Sequence, residues 1–257
     1  MMGARWAYES LTFGGYWAWD PVENASLVPW LVMISGIHTL LIYKHSRQSL
    51  RATHIFFIIS FGLVLYSTFL TRSGILGDSS VHAFTDLGMN IQLYMFMYLF
   101  VWLGAIIAAK NYSQKITSAI VSMVLLLLIY TLNIPWLGLL ALLTGIGFII
   151  FQVQTQVPTI DKEESGSSRE FWMFIGSLVF FLSAIVIIGK TSIPVFNKLF
   201  GTKIAPPEDP EFAYNSIQVY VAVIIGLLTA IGQYLKYKET SVKQFWKKIW
   251  IPTAIAV

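Results

Sequence analysis

The chain contains no cysteine, which excludes a disulfide framework and a thiolate metal site. Charge is scarce as well: Asp, Glu, Lys and Arg make up 12% of 257 residues, too few to clothe a soluble domain of that length. Histidine occurs four times, and never after position 82. The opening MMGARWAYES lacks the apolar core of a cleavable signal peptide. A basic surface suited to nucleic acid is also missing. Despite a net charge of +4 and a pI near 9.2, the Lys and Arg residues fall in short clusters between apolar runs, where they read as topology signals.

What is present is hydrophobic: 56% of the residues, with a mean hydropathy of +0.68. The chain is therefore expected to be all-α, a polytopic transmembrane bundle of about seven spans plus the start of an eighth, forming one integral domain over 1–257 in a lipid bilayer. Spans are predicted at 21–43, 54–70 and 91–109. The apolar run 116–151 is too long for one crossing, and its turn signal Asn133-Ile134-Pro135 divides it into two helices. Further spans follow at 171–189 and 217–235, and an eighth begins near Ile249. Pro29 inside the first span predicts a kink or a break.

The connecting segments are outer loops at 10–30, 71–90 and 190–215, and a cytoplasmic loop at 152–170. With 10–30 outside, twelve of the seventeen Lys and Arg residues fall inside, leaving Arg5, Arg72, Lys190, Lys198 and Lys203 outside, as the positive-inside rule requires.

The densest local signal is 13–30, FGGYWAWDPVENASLVPW. Its aromatic cluster, Phe13, Tyr16, Trp17 and Trp19, runs into Asp20-Pro21-Val22-Glu23. There Asp20 can cap free amides, Pro21 suits the first helical position, and Glu23 sits where a capping box needs a carboxylate. Both acids therefore have a structural task at a helix start. The aromatic rings alone are equally those of an interfacial belt.

In its order of residues this stretch, GGYWAWDPVENASLVPWL at 14–31, closely resembles the tryptophan-rich "WWD" signature of the CcmF and CcsA family of cytochrome c maturation haem lyases. FLTRSGILGDSSVHAF at 69–84 is similar to that family's outer loop carrying a haem-ligating histidine. SREFWMFIGSL and IIGKTSIPVFNK resemble a later helix and outer loop, so that the resemblance covers most of 4–235. A membrane segment precedes the signature in the family, so the resemblance implies that this chain is expected to be a fragment, a split gene product or a late-start form.

The resemblance implies cytochrome c-type biogenesis: haem b held at the outer tryptophan-rich loop and assisted in covalent thioether attachment to apocytochrome c. The thiols would be the partner's. It further implies a bacterial inner (plasma) membrane with the WWD loop facing the periplasm, and work alongside a haem chaperone or other cytochrome c maturation subunits. Two alternatives stay open, a haem exporter and a non-catalytic scaffold of the assembly complex.

Among the histidines, His38 lies nine residues after Pro29 and six before Lys44, well inside the bilayer, where an ionisable residue is a functional candidate. A neutral imidazole is a standard haem ligand, and the alternative is a buried side chain bonded to a neighbouring helix. The family's matching position ligates an intramembrane b-type haem. His82 becomes, by the resemblance, an axial ligand of the outer haem. The family's other ligands, one histidine before the signature and one far downstream, have no counterpart here. His45 and His54 flank a cytoplasmic turn and read as solvated or interfacial. Tyr16, Trp17, Trp19 and Trp30 could stack on the macrocycle, with Asp20 at the same start. Gly14 and Gly15 allow close approach, and Arg72 and Arg5 are the nearest outer cations for the propionates, although Arg72 also suits a snorkelling helix end.

Overall fold

The computed structural model describes residues 17–77, 79–80, 88–158 and 165–256. Nine helices and no strands occur among them: α1 Pro21–Ser46, α2 Leu50–Arg72, α3 Asn90–Ala108, α4 Tyr112–Leu132, α5 Pro135–Gln156, α6 Arg169–Thr191, α7 Ile193–Phe200, α8 Pro210–Gly232 and α9 Val242–Ala256. Seven of these, α1 to α6 and α8, are long and apolar enough to cross a membrane. The chain is a multi-span membrane protein.

Helix α1 is the hub, packed chiefly against α2 and α6. Its start follows from the local sequence. The Asp20 carboxylate accepts from the Val22 amide at 2.8 Å, while Glu23 Oε2 reaches back to accept from the Asp20 and Ala18 amides at 3.2 and 3.0 Å. The two acids therefore form a reciprocal capping box on a proline-initiated helix.

No break occurs at Pro29, and α1 runs through it. A proline has no N–H to give the carbonyl four residues back, so Ala25 O loses its helical donor. Helix α2 supplies a replacement, the Ser67 hydroxyl donating to Ala25 O. The Ser60 hydroxyl donates to Pro29 O at 2.9 Å, and Thr53 Oγ1 donates to Thr39 Oγ1 at 3.0 Å. Thr53, Ser60 and Ser67 recur every seven residues, so one stripe of α2 carries hydroxyls that all face α1. On the other side of α1, Ser35 donates to Ser177 O of α6 at 2.8 Å.

Two groups of helices result. In the first, Val28 and Val32 of α1 pack with Phe56 of α2, Ala184 and Ile187 of α6, and Tyr214 of α8. In the second, Tyr98, Trp102 and Ala105 of α3 pack with Ala141 and Ile149 of α5, and α4 covers one side. Gly145 is required there: a Cβ at that position would stand 2.6 Å from Val101 Cγ1. The two groups meet where α2 touches α3 and α5.

Several helix ends differ from expectation: α2 begins at Leu50 and α4 at Tyr112, each four residues early, α5 runs on to Gln156, and three differences further along the chain change the layout. Helix α8 begins at Pro210, seven residues before 217, because Asp209-Pro210-Glu211 repeats the start signal of α1 and the Asp209 carboxylate accepts from Phe212 N at 2.9 Å. The 190–215 segment also contains α7, opened by Pro194 and closed by Gly201 at φ 67°. Helix α9 starts at Val242, ahead of 249. The Asn133-Ile134-Pro135 turn stands as predicted between α4 and α5, with Asn133 left-handed at φ 49°.

Candidate functional site

The described part of the tryptophan-rich segment is clamped to the far end of the sequence. Trp19 has a left-handed backbone, φ 56°, which costs a non-glycine residue free energy and needs support. Three contacts supply it. The indole stacks on Tyr214 with ring centroids 5.0 Å apart and planes 12° off parallel, its Nε1–H donates to Asn215 Oδ1 at 2.8 Å, and the fully buried Asn24 amide donates to Trp19 O at 2.9 Å. Trp17 meets Trp19 edge-on at 5.9 Å. The Tyr214 hydroxyl pairs with Thr191 Oγ1 at 3.1 Å, and Lys190 Nζ lies 5.3 Å from its ring while donating to Ala213 O.

Asp20 has a second role beside its cap: the Ser80 hydroxyl donates to its Oδ1 at 2.7 Å. Ser79 lines a small cavity of about 40 Å³ with Trp19, Pro21 and Tyr214. Below it, Leu76 and Leu70 pack on Ala25 of α1 and Val195 of α7. The root of the 71–90 loop is thereby joined to the start of α1. Arg72, exposed at the last turn of α2, belongs to this same end.

The expected site residues therefore separate. Trp17, Trp19, Asp20 and Arg72 gather at one end of the bundle. Tyr16 and His82 lie outside the described residues, as do Phe13, Gly14, Gly15 and Arg5. Trp30 stands ten residues into α1, roughly 15 Å along its axis from Asp20, on an outward stripe with Met33 and Ile37. Of the rings, Trp17 at 39% and Trp30 at 49% are the more exposed, while Trp19 is committed to Tyr214 and Asn215.

His38 occupies a different place, roughly 27 Å along α1 from Asp20. Its Nδ1 is 2.8 Å from Ile34 O, a contact that makes Nδ1 the protonated nitrogen and leaves Nε2 with its lone pair. Among the described residues Nε2 has no hydrogen-bond partner. The ring lies 5.9 Å from that of Phe180 and lines a groove of about 320 Å³ between α1, α6 and α8. An imidazole in this tautomer, open to a ligand-sized space, fits a haem iron; no cluster of three His, Cys, Asp or Glu competes for a metal among the described residues. His45 stacks on Tyr237 at 3.9 Å, and His54 is exposed with Nδ1 on Leu50 O. Sequence reasoning missed Tyr214 and Asn215, whose signal was the Asp209-Pro210 helix start that sets them in its first turns.

Residues 1–76 match the family described as "Cytochrome C assembly protein". The chain is 44% identical over 113 residues to the cytochrome c-type biogenesis protein CcmF of Haemophilus influenzae, 44% of this chain and 17% of that protein. It is 40% identical over 122 residues to CcmF of Escherichia coli, 47% of this chain and 18% of the relative. With CcmF of Pseudomonas fluorescens it shares 28% identity over 246 residues, 94% of this chain and 30% of the relative. The chain thus spans less than a third of these relatives' lengths. No solved structure matches it.

Proposed function

We propose that this chain is a member of the CcmF/CcsA family of cytochrome c maturation proteins and acts in cytochrome c-type biogenesis. In this reading it binds haem b at the tryptophan-rich end and assists its covalent attachment to apocytochrome c. A second haem is held within the membrane by His38. The observation that carries the reading is the Asp20–Ser80 bond, because one carboxylate both starts the tryptophan-rich helix and fastens the loop that bears His82 two residues later in sequence.

Haem supplies the vinyl groups to which cysteine thiols add, and an iron whose oxidation state governs that addition. The chain's own residues hold and orient. Trp17 offers an exposed ring face, Arg72 a cation at the same end, and His82 an imidazole on the loop that Asp20 anchors. His38, with its tautomer fixed by Ile34 O, offers Nε2 to the second site. The natural setting is a bacterial inner membrane with the tryptophan-rich end periplasmic, supported by the bias of Lys and Arg toward the opposite loops. Other maturation subunits or a haem chaperone deliver the haem.

The test is the haem content and absorption spectrum of the purified chain beside His38→Ala and His82→Ala. Each substitution is expected to remove a different part of the haem spectrum. A chain that carries haem but keeps its spectrum unchanged in both variants would sink the two-site reading, and export of haem with no bond to a polypeptide would favour the exporter.

A further inference from the structure

The groove beside His38 is not uniform along its length, and the difference carries an inference that rests on the His38 reading. Near the imidazole it is apolar, walled by Phe180 and Met173 of α6 and Leu228 of α8. Its floor is flat at Gly176, where an added Cβ would meet only Leu228 Cδ1, at 3.8 Å. Toward the first turn of α6 it becomes polar, ending at Arg169, Gln233 and Tyr237. From Phe180 back to Arg169 is eleven residues, roughly 16 Å of helix, part of which the arginine's own length spans.

Arg169 is held in place by its neighbours without an ion pair among the described residues. Its backbone N–H donates to Lys236 O at 2.9 Å, and its guanidinium lies over Tyr237 at 5.4 Å, with the His45 ring stacked on that same tyrosine. The neighbouring carboxylate is committed elsewhere: Glu170, buried, accepts from the Lys238 backbone amide through both oxygens, at 2.9 and 2.8 Å. Among the described residues the Arg169 guanidinium has no carboxylate partner and donates no hydrogen bond. A planar fork of five donors, half-buried and with no partner among the described residues, stands at the polar end of a groove whose apolar end offers an iron ligand.

We infer that Arg169 binds the propionate carboxylates of the haem held by His38, and so fixes which edge of the macrocycle faces the cytoplasmic end of the bundle. It is a binding and positioning residue; iron ligation belongs to His38. The apolar walls take the ring and the guanidinium takes the two acids, which fits the groove to an amphipathic, dianionic disc.

The experiment compares haem with its dimethyl ester, in which both carboxylates are masked, on the full chain in nanodiscs. Wild type should bind haem more tightly than the ester by roughly tenfold or more, the scale of a lost charge-assisted hydrogen bond. Arg169→Gln should abolish that preference and lower the midpoint potential of the His38 haem, since a cation beside the ring favours the ferrous form. Arg169→Lys should keep most of both. Melting curves separate these effects from misfolding. If Arg169→Gln keeps the preference and the potential while His38→Ala removes the intramembrane haem, the arginine assignment is wrong and the His38 reading survives. A chain that carries no haem at the groove, or whose spectrum ignores His38→Ala, overturns both.

Discussion

The two helix groups solve the same problem, burying apolar helices against one another in a membrane, with a different balance of polar bonds and steric fit. Around α1, contacts are polar and specific: Ser67, Ser60 and Thr53 bond across to α1, Ser35 bonds to α6, and the Ser183 hydroxyl donates to Gln218 of α8 at 2.6 Å. Around α3 and α5 the polar bonds are fewer: Tyr94 donates to Gly138 O at 3.1 Å, Tyr98 to Ser122 O of α4, and Gln156 to Ala108 O at 2.8 Å, while Gly145 admits Val101 and Trp102 by shape. Apolar packing tolerates small shifts, but a hydrogen bond between helices does not, because its partner is unsatisfied elsewhere in lipid. The group that carries His38 and Trp19 is the one with more of these bonds.

That contrast can be broken most strongly at Tyr214, which is buried in the α1 core and supports Trp19. Tyr214→Ala should cost about 3 kcal/mol or more, and should also shift tryptophan emission as Trp19 loses its stacked partner. Thermal unfolding in detergent and fluorescence together read both effects. Intact emission with lowered stability would mean that Asn215 and Asn24 hold the indole without the ring.

In the second group, Gly145→Leu should cost about 1–3 kcal/mol by forcing Val101 and Trp102 apart. The sharper reading is local: proteolysis or exchange should loosen α3 to α5 while the His38 environment stays as it was. Equal loosening of α1 would mean that the two groups are one cooperative unit.

The smallest effect tests the hydroxyl stripe. Ser67→Ala leaves Ala25 O without a donor and should cost about 1 kcal/mol. In a Pro29→Ala background the helix recovers its own N–H for that carbonyl, so the same substitution should cost clearly less. An equal loss in both backgrounds would show that Ser67 acts independently of the proline.

The spans were legible because a crossing helix must be long and apolar, and the α1 start because Asp20, Pro21 and Glu23 act within one turn. Asp209-Pro210-Glu211 carries a similar message, but the neighbouring Pro206-Pro207 pair gives that stretch the look of a loop. Of the kink or break expected at Pro29, the break is absent for a different reason: the residue that replaces the lost donor, Ser67, lies on another helix. Trp19 shows the limit most clearly. Its partners Tyr214 and Asn215 are nearly two hundred positions away, and nothing in YWAWD or its neighbours indicates a left-handed tryptophan. The candidate site was readable in its residue types, whereas the separation of Trp30 from Trp19 and the pairing of Asp20 with Ser80 depend on tertiary contacts.

The seven-residue spacing of Thr53, Ser60 and Ser67 has a further consequence. Sliding α1 past α2 by one helical turn, roughly 5.4 Å, would break all three bonds at once, so the pair can occupy a single setting. Thr39, the partner of Thr53, is the residue next to His38. The ladder therefore works as a depth gauge, setting from a neighbouring helix the height in the bilayer at which the imidazole is offered.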